Sequence, residues 1–331
     1  MKKSITFNTK GYDGFIDFIK AYAIFMVVFA HFTPSIAMPG YPIWGGVQVP
    51  LFIVVQAFHV YKQVPKDINW KKVFSRVIIP FAVLQTLVWI LLKYLPIINS
   101  DYLDAAMLNG WGGYGPGSYY PWIYVQMLII IPLVRPILER NSPIVSGIIF
   151  VLLSAAIELA CGLSHLSAFV YSRLFGRYFF LIYFGYIWSK YGIMLNAKNM
   201  MVSMFSLGAL LFLAYGGSNN EPFFVNISTP YHRWPCYPYI ALLLPYVLYY
   251  AYSIMRRSSV CKKVIFLLAD CSYEIFLVQM MVCIFVRPSI FGIMQNKLII
   301  FIFWYAAVIS LSFVGGYCLR KMNKRIIYNH I

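Results

Sequence analysis

Acidic residues are scarce in this chain: Asp and Glu together number 10 among 331 residues. Charge of either sign is thin, at 11%, where a soluble domain carries about a quarter. That excludes an ordinary soluble enzyme, a disordered chain and a coiled coil, all of which need more polar surface. Cysteine offers no framework. Cys161, Cys236, Cys261, Cys271, Cys283 and Cys318 are scattered, mostly in apolar segments, with no Cys-x-x-Cys pair and no Cys/His metal spacing. Neither a disulfide scaffold nor a metal site is expected. An inverted internal repeat of the kind found in many transporters is not visible either.

What is abundant is apolar: 61% of residues are hydrophobic and the mean hydropathy is +0.72. A membrane-crossing helix uses about 20 apolar residues. Apolar runs fall at roughly 15–35, 46–61, 77–97, 120–138, 143–163, 171–190, 200–216, 238–255, 264–286 and 298–319. The expectation is an all-α polytopic membrane protein of about ten transmembrane helices. It forms a single integral membrane domain over 1–331, with no appended soluble domain. The first run carries Lys20 and outlasts a signal-peptide core, so it reads as a retained span.

The net charge of +17 would suggest nucleic acid in a soluble protein, but no segment has a binding module's composition. Instead the basic residues cluster in short connections on alternate sides. Lys62, Lys66, Lys71, Lys72, Arg76, Arg135, Arg140, Lys190, Lys198 and the Arg256–Lys263 group all fall on the side of the N-terminus, as does the Arg320–Arg325 tail. By the positive-inside rule both termini are cytoplasmic, and the chain is a multi-pass protein of the cell's inner (plasma) membrane.

Ionisable residues inside a span are costly and mark candidate sites. On a helix, Asp13, Asp17, Lys20 and His31 fall within roughly 60° of one another. Lys20 and His31 differ by only about 20° and lie about 16 Å apart along the axis. One stripe thus runs from a cationic entrance to an imidazole. Lys20, with Lys72 and Arg76, can hold donor phosphates. His31 can act as general base on a hydroxyl or take the acyl group itself. Asp17 can pair with Lys20. An alternative is that Asp17 and Lys20 only anchor the helix end while His31 is an interhelical polar group. Glu158 and Glu274 are buried carboxylates open to two roles, orienting His31 or pairing with an arginine.

Asp17, Lys20, ten intervening residues and His31, followed by Pro50-Leu51-Phe52-Ile53-Val54, resemble the start of the membrane acyltransferase 3 family. Lys72, Arg76 and Pro80 are similar to that family's basic entry to a third span. Pro121-Trp122-Ile123-Tyr124, Phe184-Gly185-Tyr186 and Ser272-Tyr273-Glu274-Ile275-Phe276-Leu277-Val278 resemble later family elements. Three departures stand out. Gln56-Ala57 replaces a Ser-Gly, Gln279 replaces a histidine, and Lys20 replaces the more usual arginine. Lys keeps the charge but loses the bidentate fork.

The resemblance implies an O-acyltransferase that moves an acyl group, most often acetyl, from cytoplasmic acyl-CoA. The acceptor it implies is a hydroxyl of an envelope glycan or its lipid-linked precursor. The candidate catalytic residues are then His31, Asp17 and Glu274, with Lys20, Lys72 and Arg76 as donor ligands. Acetyl-CoA or another acyl-CoA is a co-substrate, and no permanently bound cofactor is implied. Partners are the glycan or lipid-linked sugar, the bilayer and envelope-glycan assembly proteins, not nucleic acid. Trp122, Arg173, Arg177 and Gln279 are acceptor or structural candidates. Arg173 and Arg177, four residues apart, would share a helix face. Trp111, Tyr114, Tyr119, Tyr120 and Trp122 flank a Gly-rich outer loop and suit either sugar stacking or the interfacial aromatic belt. Two other readings remain open: a transporter or flippase for a lipid-linked sugar or organic anion, and a catalytically lapsed family member.

Overall fold

The computed structural model describes residues 3–5, 13–32, 41–44, 46–63, 68–94, 113–166, 168–171, 173–212, 234–286 and 297–328; Trp111 lies outside them. In chain order the helices are α1 (Gly14–Phe32), α2 (Gln48–Lys62), α3 (Trp70–Tyr94), α4 (Tyr120–Arg140), α5 (Pro143–Leu163), α6 (Phe179–Tyr191), α7 (Ala197–Leu211), α8 (Trp234–Met255), α9 (Ser259–Asp270), α10 (Ser272–Phe285) and α11 (Lys297–Tyr328). Two short strands, β1 (Lys3–Ile5) and β2 (Ile193–Leu195), pair antiparallel with Ser4 opposite Met194. This ribbon is the one addition to the expected all-helical architecture among the described residues. It puts the N-terminal segment beside the α6–α7 connection.

Six of these helices are long and apolar enough to cross a membrane: α1, α3, α4, α5, α8 and the Ile302–Arg325 part of α11. The α9–α10 pair, bent by 71°, makes a seventh if it is one span. Each of the ten apolar runs overlaps a helix, but α2, α6 and α7 hold only 15, 13 and 15 residues. A bilayer core asks for about 20. The first two are mostly buried in the protein. An enclosed helix has no lipid-facing backbone to match to the bilayer, so its length is set by its neighbours.

α1 is the hub. The Asp13 carboxylate accepts from the backbone N–H groups of Phe15 (3.0 Å) and Ile16 (3.4 Å), satisfying donors that the first helical turn leaves open. Its apolar window is 61% buried, against 17–44% for the other five spanning helices. It packs on α2, α8, α9, α10 and α11. The outer helices are inverted relative to soluble ones. Ile79, Val83, Leu87 and Ile90 of α3 and Ile144, Ile148 and Leu152 of α5 are exposed. Their spacing turns an apolar stripe outward, which suits a hydrocarbon surround and not water.

Small residues bring the inner helices together, as expected where lipid supplies no hydrophobic drive between helices. α2 crosses α6 closely. A methyl group on Gly185 would collide with Ala57 Cβ and sit 2.8 Å from the Val54 carbonyl oxygen. In the α10–α11 contact, a methyl on Gly316 would lie 2.6 Å from Ile275 Cα. We expect Gly185→Val to destabilise the detergent-solubilised protein by about 1–3 kcal/mol or more through overpacking. Gly208→Val, where nothing lies within 4 Å, stays within about 0.5 kcal/mol of wild type. Thermal unfolding followed by size-exclusion chromatography checks both.

Candidate functional site

A cavity of about 840 Å³ lies between α1, α2, α3, α4, α10 and α11. The alternating directions of these helices bring their basic ends together. Lys20 enters from the start of α1, Lys72 and Arg76 from the start of α3, Arg135 from the end of α4 and Arg320 from the end of α11. His59 and Asn69 join them. The other end is lined by Val27, Phe52, Tyr120 and Phe276. Arg76 sits in a π-helical turn, Phe74–Ile78, inside α3. Such turns open the regular hydrogen-bond ladder and recur at functional sites. Here the Tyr273 hydroxyl donates to the Val77 carbonyl at 2.8 Å, tying that turn to α10.

Several charges at the basic end are answered in pairs, Arg135 with Glu139 at 2.7 Å among them. Asp17, buried, pairs with Lys20 at 2.6 Å. Arg320 bridges two carboxylates, Asp270 at 2.7 Å and Glu274 at 3.2 Å. Lys324 adds a second contact to Asp270 at 2.7 Å. The bend between α9 and α10 places Asp270 and Glu274 on either side of one guanidinium. Of the two roles open to Glu274, the structure shows the arginine pair. Asp17 likewise pairs with Lys20, which lines the cavity, and lies some 21 Å of helix away from His31.

His31 occupies the last turn of α1 and is exposed. Its Nδ1 lies 2.9 Å from Gln279 Oε1 on α10. Gln279 Nε2 donates to the Pro116 carbonyl at 3.1 Å. Pro116 belongs to the Gly-rich turn before α4. There Gly115 (φ 89°) and Gly117 (φ 83°) adopt the left-handed backbone that side chains disfavour. A methyl group on Gly117 would sit 2.9 Å from Phe276 Cε2 and 3.5 Å from His31 Cε1. Phe276 also meets Tyr120 edge to face at 5.4 Å. The aromatic end of the cavity and the imidazole therefore pack against the same glycine.

The remaining candidates sit elsewhere. Trp122 is 45% exposed and meets Phe81 edge-on, away from the cavity lining. Arg173 and Arg177 do not share an α-helical face, because the chain passes through a 3₁₀ turn, Phe175–Tyr178, before α6. Their guanidinium groups lie over the rings of Tyr119 (5.8 Å) and Tyr178 (5.6 Å). Glu158, fully buried, accepts from the Tyr171 hydroxyl at 3.1 Å and the Trp234 indole at 2.6 Å. Gln56 lines the cavity and donates to the Tyr124 carbonyl at 3.0 Å. Among the described residues no group of three or more His, Cys, Asp or Glu is placed to hold a metal.

Sequence reasoning missed Arg135, Arg320 and His59 as cavity residues. The two arginines were absorbed into the topogenic charge pattern, and nothing local distinguishes them from it. The usable signal was Asp270 and Glu274 flanking one buried helix junction, since two carboxylates there require a cation.

A family model described as an acyltransferase domain matches residues 13–321. No curated protein and no solved structure matches the chain.

The ion pairs make a graded prediction. Glu274 has a side-chain exposure of 4%, so Arg320→Ala leaves a buried carboxylate uncompensated, a loss of roughly 3–5 kcal/mol. Lys324, at 45%, is a surface partner, and Lys324→Ala should remove about 1 kcal/mol or less. Chemical or thermal unfolding in one detergent ranks the two variants.

Proposed function

The chain belongs to the acyltransferase 3 family, a membrane acyltransferase, and we propose that it moves a short acyl group, acetyl above all, from cytoplasmic acyl-CoA to a hydroxyl of a cell-surface glycan or its lipid-linked precursor. In this reading the ten apolar runs thread the inner membrane with both termini in the cytoplasm. The β1–β2 ribbon, which joins the N-terminal segment to the α6–α7 connection, agrees with that threading.

The observation that carries the proposal is the single cavity with two unlike ends. Its basic end suits the phosphates of the donor. Lys20, Lys72, Arg76, Arg135 and Arg320 line it, and charge-assisted contacts to phosphate are among the stronger hydrogen bonds. Asp17 holds Lys20 in place, and Asp270 with Glu274 holds Arg320. The apolar end suits the thioester arm. It reaches Tyr120 and Phe276, which pack on the glycine that His31 also touches.

His31 removes the proton from the acceptor hydroxyl. The oxygen attacks the thioester carbonyl, the C–S bond breaks and the CoA thiolate leaves, recovering that proton from the imidazole. General-base assistance of this kind is worth about 10²–10⁴ in rate. The exposure of His31 on the side away from the basic end lets the acceptor approach without entering the donor cavity.

Membranes containing wild type or His31→Ala, given acetyl-CoA labelled in the acetyl group, test this directly. Label enters the glycan or lipid-linked fraction with wild type and falls by about 100-fold or more with the variant. Equal labelling by the two removes His31 from the chemistry. Lys72→Ala and Arg76→Ala each raise the KM for acetyl-CoA by roughly tenfold, the effect of about 1.4 kcal/mol of phosphate contact. Their kcat stays near wild type.

A further inference from the structure

The position where the family carries a second histidine holds Gln279, and its amide is fully buried. Each end of that amide meets a hydrogen-bond partner: the Pro116 carbonyl oxygen at 3.1 Å and His31 Nδ1 at 2.9 Å. A carbonyl oxygen only accepts, so the –NH₂ end of the amide must face Pro116. The reverse orientation would set two oxygens against each other in a buried site. Gln279 Oε1 is thereby committed to His31. It too only accepts, so Nδ1 must carry the proton. In a neutral imidazole the other nitrogen, Nε2, then holds the lone pair.

Resting on the proposed role of His31 as the reacting group, we propose that Gln279 is a positioning residue: oriented by the Pro116 carbonyl, it fixes His31 in the Nδ1–H tautomer and leaves Nε2 as the atom that takes the acceptor's proton. The O–H bond of the acceptor breaks as N–H forms at Nε2. The electron pair stays on the oxygen that attacks the thioester, and the proton returns to the departing thiolate.

The direction of the whole relay starts in the backbone. Gly115 and Gly117 bracket Pro116 with positive φ. The turn closes on itself through Ser118 Oγ donating to the Gly113 carbonyl at 2.8 Å and the Tyr120 N–H donating to the Gly117 carbonyl at 2.8 Å. Gln85 on α3 clamps it from outside, accepting from the Tyr114 N–H and donating to the Tyr114 carbonyl at 3.1 Å. The Gly-rich turn thus presents a fixed acceptor, and the acceptor sets the amide.

Gln differs from a carboxylate at this position because it bears no charge. It orients the imidazole without placing a charge beside it. The elements facing His31 supply no charge among the described residues. The turn brings Pro116 and Gly117, and α10 brings Phe276 and Gln279. The nearest acid on α10, Glu274, is held by Arg320, and Asp270 is held by Arg320 and Lys324.

The primary test reads the tautomer itself. With ¹⁵N-labelled histidine in wild-type protein, and the His31→Ala spectrum to assign the signal, His31 should show a protonated Nδ1 and a bare Nε2. A protonated Nε2 with a bare Nδ1 overturns the inference, whether or not the protein transfers acetyl groups. Kinetics give the second reading. Gln279→Leu should lower kcat by about 100-fold with the KM for acetyl-CoA unchanged and the protein still monodisperse. Gln279→Glu should move the acidic limb of the kcat profile up by about one pH unit or more, because a carboxylate beside the ring favours its protonated form. Wild-type kcat in the Leu variant, or an unmoved limb in the Glu variant, counts against the role. If Gln279→Leu fails to fold, the tautomer measurement on wild type and the Glu profile still decide.

Discussion

A charge carried into a helical membrane protein has to be met by an opposite charge or by a water-filled space, since the hydrocarbon offers neither. That constraint organises this molecule. Lys20 is met by Asp17, and Arg320 by Asp270 and Glu274. Arg135 is met by Glu139, and all three of these cations line one cavity with Lys72 and Arg76. Breaking one of these pairs would leave a buried charge and not merely a lost contact. The proposed donor contacts and the stability of the fold therefore draw on the same side chains at the basic end.

The imidazole end obeys a different rule. It holds neutral amides, a carbonyl and glycines, all arranged by hydrogen-bond polarity and not by charge. The two ends are joined by α1, which carries Lys20 near its start and His31 in its last turn. Because α1 is enclosed by α2 and α8–α11, the separation between Lys20 and His31 is fixed by a helix rather than by a loop. Rigid elements hold such spacings better than loops do.

Much of this was legible in the residues. Every apolar run overlaps a helix, and the Lys20–His31 spacing marks the hub because ionisable groups on one stripe of an apolar span are hard to explain otherwise. Span counting was less legible. A residue string does not reveal that α2 and α6 are enclosed, so their apolar runs look like lipid-facing spans. The Arg173–Arg177 spacing misleads for a similar reason: a 3₁₀ turn and a helix share the same local composition. The residues mark the Gly-rich turn only as an irregular loop whose flanking aromatics suit sugar stacking or the interfacial belt. Its contact with Gln279 joins segments 163 residues apart, and no local pattern encodes a pairing at that distance. Arg320 was hidden for a different reason, since topogenic arginines and ligand-binding arginines look alike until a cavity gathers them.

The bond between His31 and Gln279 spans 248 residues of sequence. Ribosomes add about 5–20 residues per second, so α1 leaves the ribosome roughly 12–50 seconds before its partner on α10 exists. During that interval the central helix waits in the membrane without α9, α10 and α11, the neighbours that later enclose it. A chain released early would carry the imidazole, Lys20 and Asp17, yet lack the element that aims the ring. For the proposed reaction, the pairing of His31 with Gln279 thus becomes available only late in synthesis.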